Sequence, residues 1–197
     1  FAYKHLWESM TLLPFLPEPS ETPLSLLDVG TGGGIPGLPL WLARPDMQVF
    51  LMDSVNKKLK AIMHMSEQLQ QRFPVLSALP TPLHMRAEDA GQHKDHRERY
   101  QVVVSRAVAS LPVLLEYCLP LVARRGLFIA MKGPGYQSEM QHIQQITGLM
   151  GGRLREPVVL HTPEGEERVL LIFEKRSLTP KTLPRPAGEA KKRPLTA

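Results

Sequence analysis

The chain has 197 residues, 43% of them hydrophobic, and carries a formal net charge of +5 with a single cysteine and nine methionines. That length suits one domain with a substantial core and short tails; a lone Cys118 excludes an internal disulfide and, with the methionines, points to a reducing, cytoplasmic setting. No apolar run approaches the ~18 residues of a membrane span, and Phe1-Ala2-Tyr3-Lys4-His5 lacks both the pattern of a secretory signal and a starting Met, as a fragment or trimmed chain would.

Residues 1–13 place Leu6, Met10 and Leu13 on one face of a helix. Pro14, Pro17, Pro19 and Pro23 then mark a linker, so 1–23 is expected to be a helical segment, shortened at its start, and a Pro-rich connection. The apolar run at 24–29 reads as a strand that leads into Gly30-Thr31-Gly32-Gly33-Gly34-Ile35-Pro36-Gly37. A strand, a glycine-rich turn and a helix are how α/β proteins hold nucleotide-like ligands, because glycine lets the backbone turn sharply and approach the ligand. The dinucleotide fingerprint Gly-x-Gly-x-x-Gly fails at its last position, which is Ile35.

A helix is expected over 37–44, ended by Pro45, then a strand over 48–53. The next helix, 56–73, carries Leu59, Ile62, Met63, Leu69 and Phe73 on its core face and stops at Pro74. A short strand follows at 83–86, a polar loop at 91–99, and a strand at 100–105 whose Val102-Val103-Val104 suits burial on both faces. A helix over 112–122 contains Cys118 as a buried small apolar side chain, followed by a strand at 126–132 and a helix at 137–150. Strands at 154–161 and 168–175 flank the turn Pro163-Glu164-Gly165. From Ser177 to Ala197 five basic residues face one acidic residue, a net +4 on an otherwise near-neutral chain. Such a tail suggests contact with a polyanion, against the plainer reading of a solvated tail.

Alternating strands and helices call for a mostly parallel sheet covered on both faces, and the closing hairpin adds one antiparallel strand. The expected organisation is the N-terminal segment 1–23, an α/β domain over 24–176 and the basic tail 177–197. Ligands of such sheets bind at the carboxyl ends of the strands. Those ends hold Gly30, Gly32 and Gly34, then Asp53, then Arg86-Ala87-Glu88, then Ser105-Arg106, then Lys132. Asp53, 23 residues after Gly30, can accept hydrogen bonds from both hydroxyls of a ribose, or cap the next helix. Ala87 and Glu88 lie where an adenine would rest, with Glu88 otherwise a plain surface carboxylate. Arg86, Arg106 and Lys132 would line one rim and hold phosphates, and an arginine also matches the O6 edge of guanine. His5 approaches that rim if the first helix folds over the sheet, and otherwise caps or stays at the surface. Metal spacing, a nucleophile elbow and a P-loop lysine are all missing. So are the Asn-Pro-Pro-Tyr-like segment of amino-nitrogen methyltransferases and a cysteine placed for carbon-5 methylation of pyrimidines.

Asp-Val-Gly-Thr-Gly-Gly-Gly at 28–34 has the form typical of S-adenosylmethionine (SAM) methyltransferases. The longer run Leu26–Leu40 resembles the bacterial ribosomal RNA small-subunit methyltransferase G family, also called glucose-inhibited division protein B. So do Leu51–Lys58, Arg86–Asp89, Val104–Ala109, Met131–Gly133 and Leu183–Leu195, in that order. The resemblance implies a class I SAM-dependent methyltransferase fold, a mostly parallel sheet of about seven strands with one antiparallel strand and helices on both faces. It implies methylation of guanine N7 in small-subunit (16S) ribosomal RNA, with SAM as cofactor and the RNA or its ribosomal particle as partner. By the match, Gly30, Ile35, Asp53, Ser54, Val55, Ala87, Glu88 and Arg106 are SAM-site positions. Arg106, Lys132 and Arg86 would hold the guanine and its phosphates. No general base is expected, because N7 carries a free lone pair at neutral pH. Only the final part of the family's N-terminal segment, around His5–Ser9, is represented. A small-molecule methyltransferase, an inactive SAM- and RNA-binding module and a nicotinamide-dependent dehydrogenase are the competing readings, the last opposed by Ile35. A cytoplasmic monomer without membrane contact is expected.

Overall fold

The computed structural model describes residues 2–76 and 78–196. Phe1 and Ala197, the outer ends of the expected first helix and basic tail, lie outside the described residues, as does Ser77. The strands are β1 (Ser25–Val29), β2 (Gln48–Asp53), β3 (Thr81–His84), β4 (Tyr100–Arg106), β5 (Val122–Lys132), β6 (Gly152–Leu154), β7 (Val158–His161) and β8 (Glu167–Lys175). They form one sheet in the order β3-β2-β1-β4-β5-β8-β6, with β7 also on β8. β1 to β5 run parallel, and β8 returns antiparallel to β5 with Phe128 opposite Phe173. β6 and β7 pair with opposite halves of β8. β7 and the last residue of β6 fall within the single strand expected at 154–161, which is interrupted where Pro157 cannot donate to the ladder, while β6 begins earlier, at Gly152, a residue expected to end the preceding helix. Taken as one broken strand, they complete the expected seven-strand sheet with one reversed strand.

The helices are α1 (Ala2–Met10), α2 (Gly37–Ala43), α3 (Asn56–Arg72), α4 (Ala87–Gln92), α5 (Leu111–Cys118), α6 (Ile143–Leu149) and α7 (Glu189–Lys192). The pleat sends Val103, Phe128 and Phe173 into one core, with α5 and α6, and Val102, Val104 and Ile129 into the other, with α2 and α3. Both faces of β4 are therefore dry, which is why its sequence is a continuous valine run.

Several elements depart from the sequence pattern. α4 occupies a stretch without amphipathic apolar spacing; its inner face is Ala87, Glu88, Ala90 and Gly91. Arg86 consequently sits at the N-cap of α4, after β3 has ended at His84. α5 stops at Cys118, and β5 begins at Val122 rather than at 126, because a short turn at Leu119–Leu121 intervenes. The helix expected over 137–150 is broken by a left-handed His142 (φ 60°) into a turn at Tyr136–Glu139 and α6. On α3, Phe73 lies just past the last turn and is 45% exposed, while Ser66 takes an inner position with its hydroxyl on the Ile62 carbonyl at 2.9 Å. On α1, the expected face is not the inner one: Leu6 is exposed, and Glu8 and Ser9 are buried.

The carboxyl-terminal segment lies folded along α4 and α5. Arg97 donates to the carbonyls of Gly91 (2.7 Å), Leu183 (2.8 Å) and Thr179 (2.7 Å). Gln92 Nε2 donates to the Pro184 carbonyl at 2.6 Å. Leu183 and Ala190 are buried, and Gly91 leaves room for Pro184, whose Cγ would lie 2.7 Å from a Cβ there.

Candidate active site

A cavity of about 720 Å³ opens at the carboxyl ends of β1, β2 and β4, where the topology reverses direction on the two sides of β1. The loop after β1 forms its floor. Gly30 holds φ at +72°, and a Cβ there would lie 2.5 Å from Val108 Cγ2, so the turn demands glycine. Its N–H and that of Thr31 both donate to the Met52 carbonyl at 2.9 Å, tying the loop to β2.

Asp28 anchors this loop from below. Its side chain is fully buried, and Oδ2 accepts from Thr31 Oγ1 at 2.7 Å and from the Gly37 N–H at 2.9 Å. A Cβ on Gly37 would meet Leu51 Cδ2 at 2.4 Å, so glycine is also what brings that N–H to Asp28. Asp28 Oδ1 has no partner. Burial pushes the carboxyl up from 3.8 to about 6, against the pull of its two hydrogen bonds. The folded state therefore keeps a proton that the unfolded chain releases, and ionisation removes stability as pH rises from about 4 to about 6. At ~1.4 kcal/mol per pH unit this amounts to about 3 kcal/mol. Asp28→Asn cannot titrate. Its stability relative to the natural protein, from urea unfolding, is expected to rise by about 2–3 kcal/mol between pH 4 and pH 7; a difference constant with pH would contradict this.

Of the residues expected to bind cofactor, Gly30, Gly32, Ile35, Asp53, Ser54, Ala87, Glu88 and Arg106 line the cavity, and Arg86 joins them. Gly34 and Val55 do not. Gly34 sits against Leu38, and Val55 turns outward while its N–H donates to Asp53 Oδ1 at 2.9 Å. The other Asp53 oxygen accepts from the Gly32 N–H at 3.0 Å. Asp53 thus braces the glycine loop, and each of its oxygens keeps a second lone pair. Glu88 is 5% exposed and accepts the Gly188 N–H at 2.9 Å. The Tyr117 hydroxyl also bonds Glu88; burial, with that neighbouring carboxylate, pushes the phenol up to about 12.

The donor set fits SAM. A cavity of this volume holds a nucleoside-sized ligand. Asp53 offers acceptors at the end of β2 and Glu88 offers them from α4, matching a ribose diol and an exocyclic amino group. The glycine loop after β1 lines the same cavity.

A second cavity of about 380 Å³ adjoins the first, and both share His5, Arg106 and Ala107. Arg106 donates to Glu8 Oε2 at 2.7 Å and to His5 Nδ1 at 2.8 Å. Arg168 donates to Glu8 Oε1 at 2.6 Å. Burial works to raise the Glu8 carboxyl, but the hydrogen bonds and charges of Arg168 and Arg106 outweigh it and hold the group below its ordinary value. Lys132 lines this second cavity and not the first; its Nζ donates to Glu139 at 2.8 Å and to the Ala109 carbonyl at 3.2 Å. The three expected cations are therefore divided, Arg86 beside the first cavity, Lys132 beside the second and Arg106 at the junction. The N-terminal helix does fold over the sheet and brings His5 to this rim. Sequence reasoning did not single out Glu8, Arg168, Tyr117, Gly188 or Lys191 for this site. Arg168 carried a faint signal, as a charged residue at the head of an apolar strand.

Among the described residues, no group of three His, Cys, Asp or Glu side chains is placed to hold a metal, and no helix is long and apolar enough to cross a membrane.

Residues 1–166 match a family model described as "GidB: rRNA small subunit methyltransferase G". A protein named ribosomal RNA small subunit methyltransferase G from Pelotomaculum thermopropionicum is 41% identical over 195 residues, covering 98% of this chain and 78% of that protein. One of the same name from Lactobacillus johnsonii is 38% identical over 193 residues, with the same coverage. Among solved structures, the magnesium protoporphyrin IX methyltransferase of Synechocystis PCC 6803 with bound SAM superposes with a TM-score of 0.62 at 20% identity, over 89% of this chain and 81% of that one. The antibiotic-resistance methyltransferase Kmr gives 0.57 at 18% identity, over 85% and 93%. At those identities the structural likeness speaks for the fold alone.

Proposed function

The chain belongs to the rRNA small subunit methyltransferase G family, a SAM-dependent rRNA methyltransferase family, and from that premise we propose that its acceptor is N7 of a guanosine in small-subunit ribosomal RNA. The observation that supports this most directly is the junction of the two cavities at Arg106. One cavity suits a nucleoside cofactor, the other is sized for a single base, and an arginine fork between them matches a guanine edge.

When bound, SAM supplies an electrophilic methyl group on a positively charged sulfur. Guanine N7 bears a lone pair at neutral pH, so no side chain needs to remove a proton. The lining suits that economy: Glu8, the buried carboxylate of the second cavity, is committed to two arginines and is a poor base. The protein's work is then orientation and exclusion of water. Asp53 holds the ribose, Glu88 the adenine amino group and Arg106 the guanine. Arg86 meets a phosphate at the rim. Lys132, tethered by Glu139, supports the base from the far wall. The reading has the protein act as a monomer in the cytoplasm on RNA or its ribosomal particle.

The test is transfer of a labelled methyl group from SAM to small ribosomal subunits, to naked ribosomal RNA and to a metabolite pool, followed by mapping of the modified base. Label at guanine N7 of the small-subunit RNA is expected. Label on a metabolite would establish a small-molecule enzyme, and SAM binding without transfer would establish an inactive module.

A further inference from the structure

We propose that the carboxyl-terminal segment 183–192 is a positioning strap for the cofactor's base, acting through the Gly188 N–H on Glu88. The strap is fastened at successive points. Arg97 and Gln92 hold its beginning through backbone carbonyls, and Arg185 forks onto the buried Glu116, Nε to Oε1 at 2.8 Å and the terminal nitrogen to Oε2 at 2.6 Å. The chain then turns through Gly188 at φ +85° and enters α7, so that Gly188 and Lys191 form part of the cofactor cavity's wall. There the Gly188 N–H donates to Glu88 Oε1 at 2.9 Å. A carboxylate that is 5% exposed needs such partners to satisfy its oxygens and hold it in place. With the Gly188 N–H on Oε1 and the Tyr117 hydroxyl also on this carboxylate, its remaining lone pairs are what an amino donor of the ligand would meet. A hydrogen-bond acceptor held rigidly at that point selects a 6-amino purine over a 6-oxo purine.

This rests on the assignment of Glu88 to the adenine and not on the identity of the methyl acceptor. The test uses the full chain and calorimetric binding of S-adenosylhomocysteine and of its inosine counterpart. Gly188→Pro removes the N–H and cannot adopt the positive φ. It is expected to weaken the adenosine ligand about tenfold and the inosine ligand much less, so that the preference between them shrinks. Equal weakening of both ligands, or unchanged binding, would overturn the strap. Glu88→Gln tests the underlying assignment: its amide still accepts from Gly188 and can donate to a 6-oxo base, so the preference is expected to shift toward inosine. A Glu88→Gln chain with undiminished adenine preference overturns the assignment itself.

An independent observation concerns the opposite end of the sheet. Arg124 and Arg125 at the start of β5, Arg153 and Arg155 around β6, and Arg176 after β8 are all exposed, and they gather at one end around the carboxylate of Glu174. Arg155 and Arg176 pair with it. Adjoining grooves of about 240 and 450 Å³ share Arg124, Arg125 and Arg155. Arg124 lies eight positions before Lys132 on β5, whose ladder is irregular between Val122 and Leu127, so this surface sits at the other end of the strand from the acceptor cavity. The geometry points to a docking surface for the phosphate backbone of the same ribosomal RNA, given the substrate proposed above. Five guanidinium groups around one carboxylate complement a polyanion and no neutral partner.

Arg124→Gln combined with Arg153→Gln leaves the Glu174 pairs intact. In small-subunit rRNA binding measured against salt, this variant is expected to reduce the slope of log K on log salt by about 1.4, near 0.7 for each phosphate that no longer meets a guanidinium. Affinity for S-adenosylhomocysteine should not change. An unchanged slope, or weakened binding seen with anionic lipid vesicles and not with RNA, overturns the surface. A natural protein that binds the RNA without salt dependence overturns the substrate reading as well.

Discussion

Replacing Arg106 with alanine is expected to lower kcat/KM for methyl transfer by about 10²–10³-fold, the usual effect of removing a preorganised donor at a reacting centre. Arg106 is the side chain common to both cavities that carries a fixed charge, and its orientation is set by Glu8 and His5. The substitution leaves Glu8 with Arg168, so the buried carboxylate is not abandoned and the chain should fold. One terminal nitrogen of Arg106 serves both Glu8 and His5, which a lysine ammonium could also do, but Arg106→Lys lacks the further planar N–H groups proposed to meet the guanine edge, and is expected to recover only part of the loss. Thermal unfolding and S-adenosylhomocysteine binding separate a chemical effect from a folding one. An alanine variant with full transfer and full RNA affinity would remove Arg106 from its proposed role.

Arg185→Ala is expected to cost about 3–5 kcal/mol of stability, because it strands a charge in the interior. Glu116 is wholly buried on α5, and the contacts that satisfy it come from Arg185: two guanidinium hydrogen bonds and the backbone N–H at 2.8 Å. The guanidinium of Arg185 is held above its ordinary value by the same pair. Urea unfolding is the measurement, and the informative companion is Arg185→Met with Glu116→Leu. That pair removes both charges, fills similar volume, and is expected to return most of the lost stability. A loss below ~1 kcal/mol for the single variant would mean that Glu116 finds water or another partner, and that the segment is held elsewhere. Because Arg185 is one fastening of the strap, the single variant should also weaken cofactor binding, and the double variant should weaken it less.

What the sequence determined by itself was local. Alternating strands and helices, the valine run of β4 and the glycine turn after β1 each follow from a period, a burial pattern or a positive φ that neighbouring residues set. Asp53 was legible for the same reason, since a strand end one step over from a glycine loop has few places to go. The periodicity failed where a helix covers a polar site. The inner face of α1 is Glu8 and Ser9 because it meets Arg106 and Arg168, 98 and 160 residues from Glu8 along the chain. Short polar α4 gave no apolar period to read, and its Glu88 finds Gly188 at a separation of 100 residues. Charge along the chain was likewise an incomplete guide. The basic tail looked like a surface for a polyanion, yet Arg185 spends its charge on buried Glu116, while five arginines around the single carboxylate of Glu174 are assembled from segments far apart in sequence. Composition counts charges, but only the tertiary structure decides which are neutralised inside and which remain to meet a partner, because pairing depends on distance in space and desolvation, not on order along the chain.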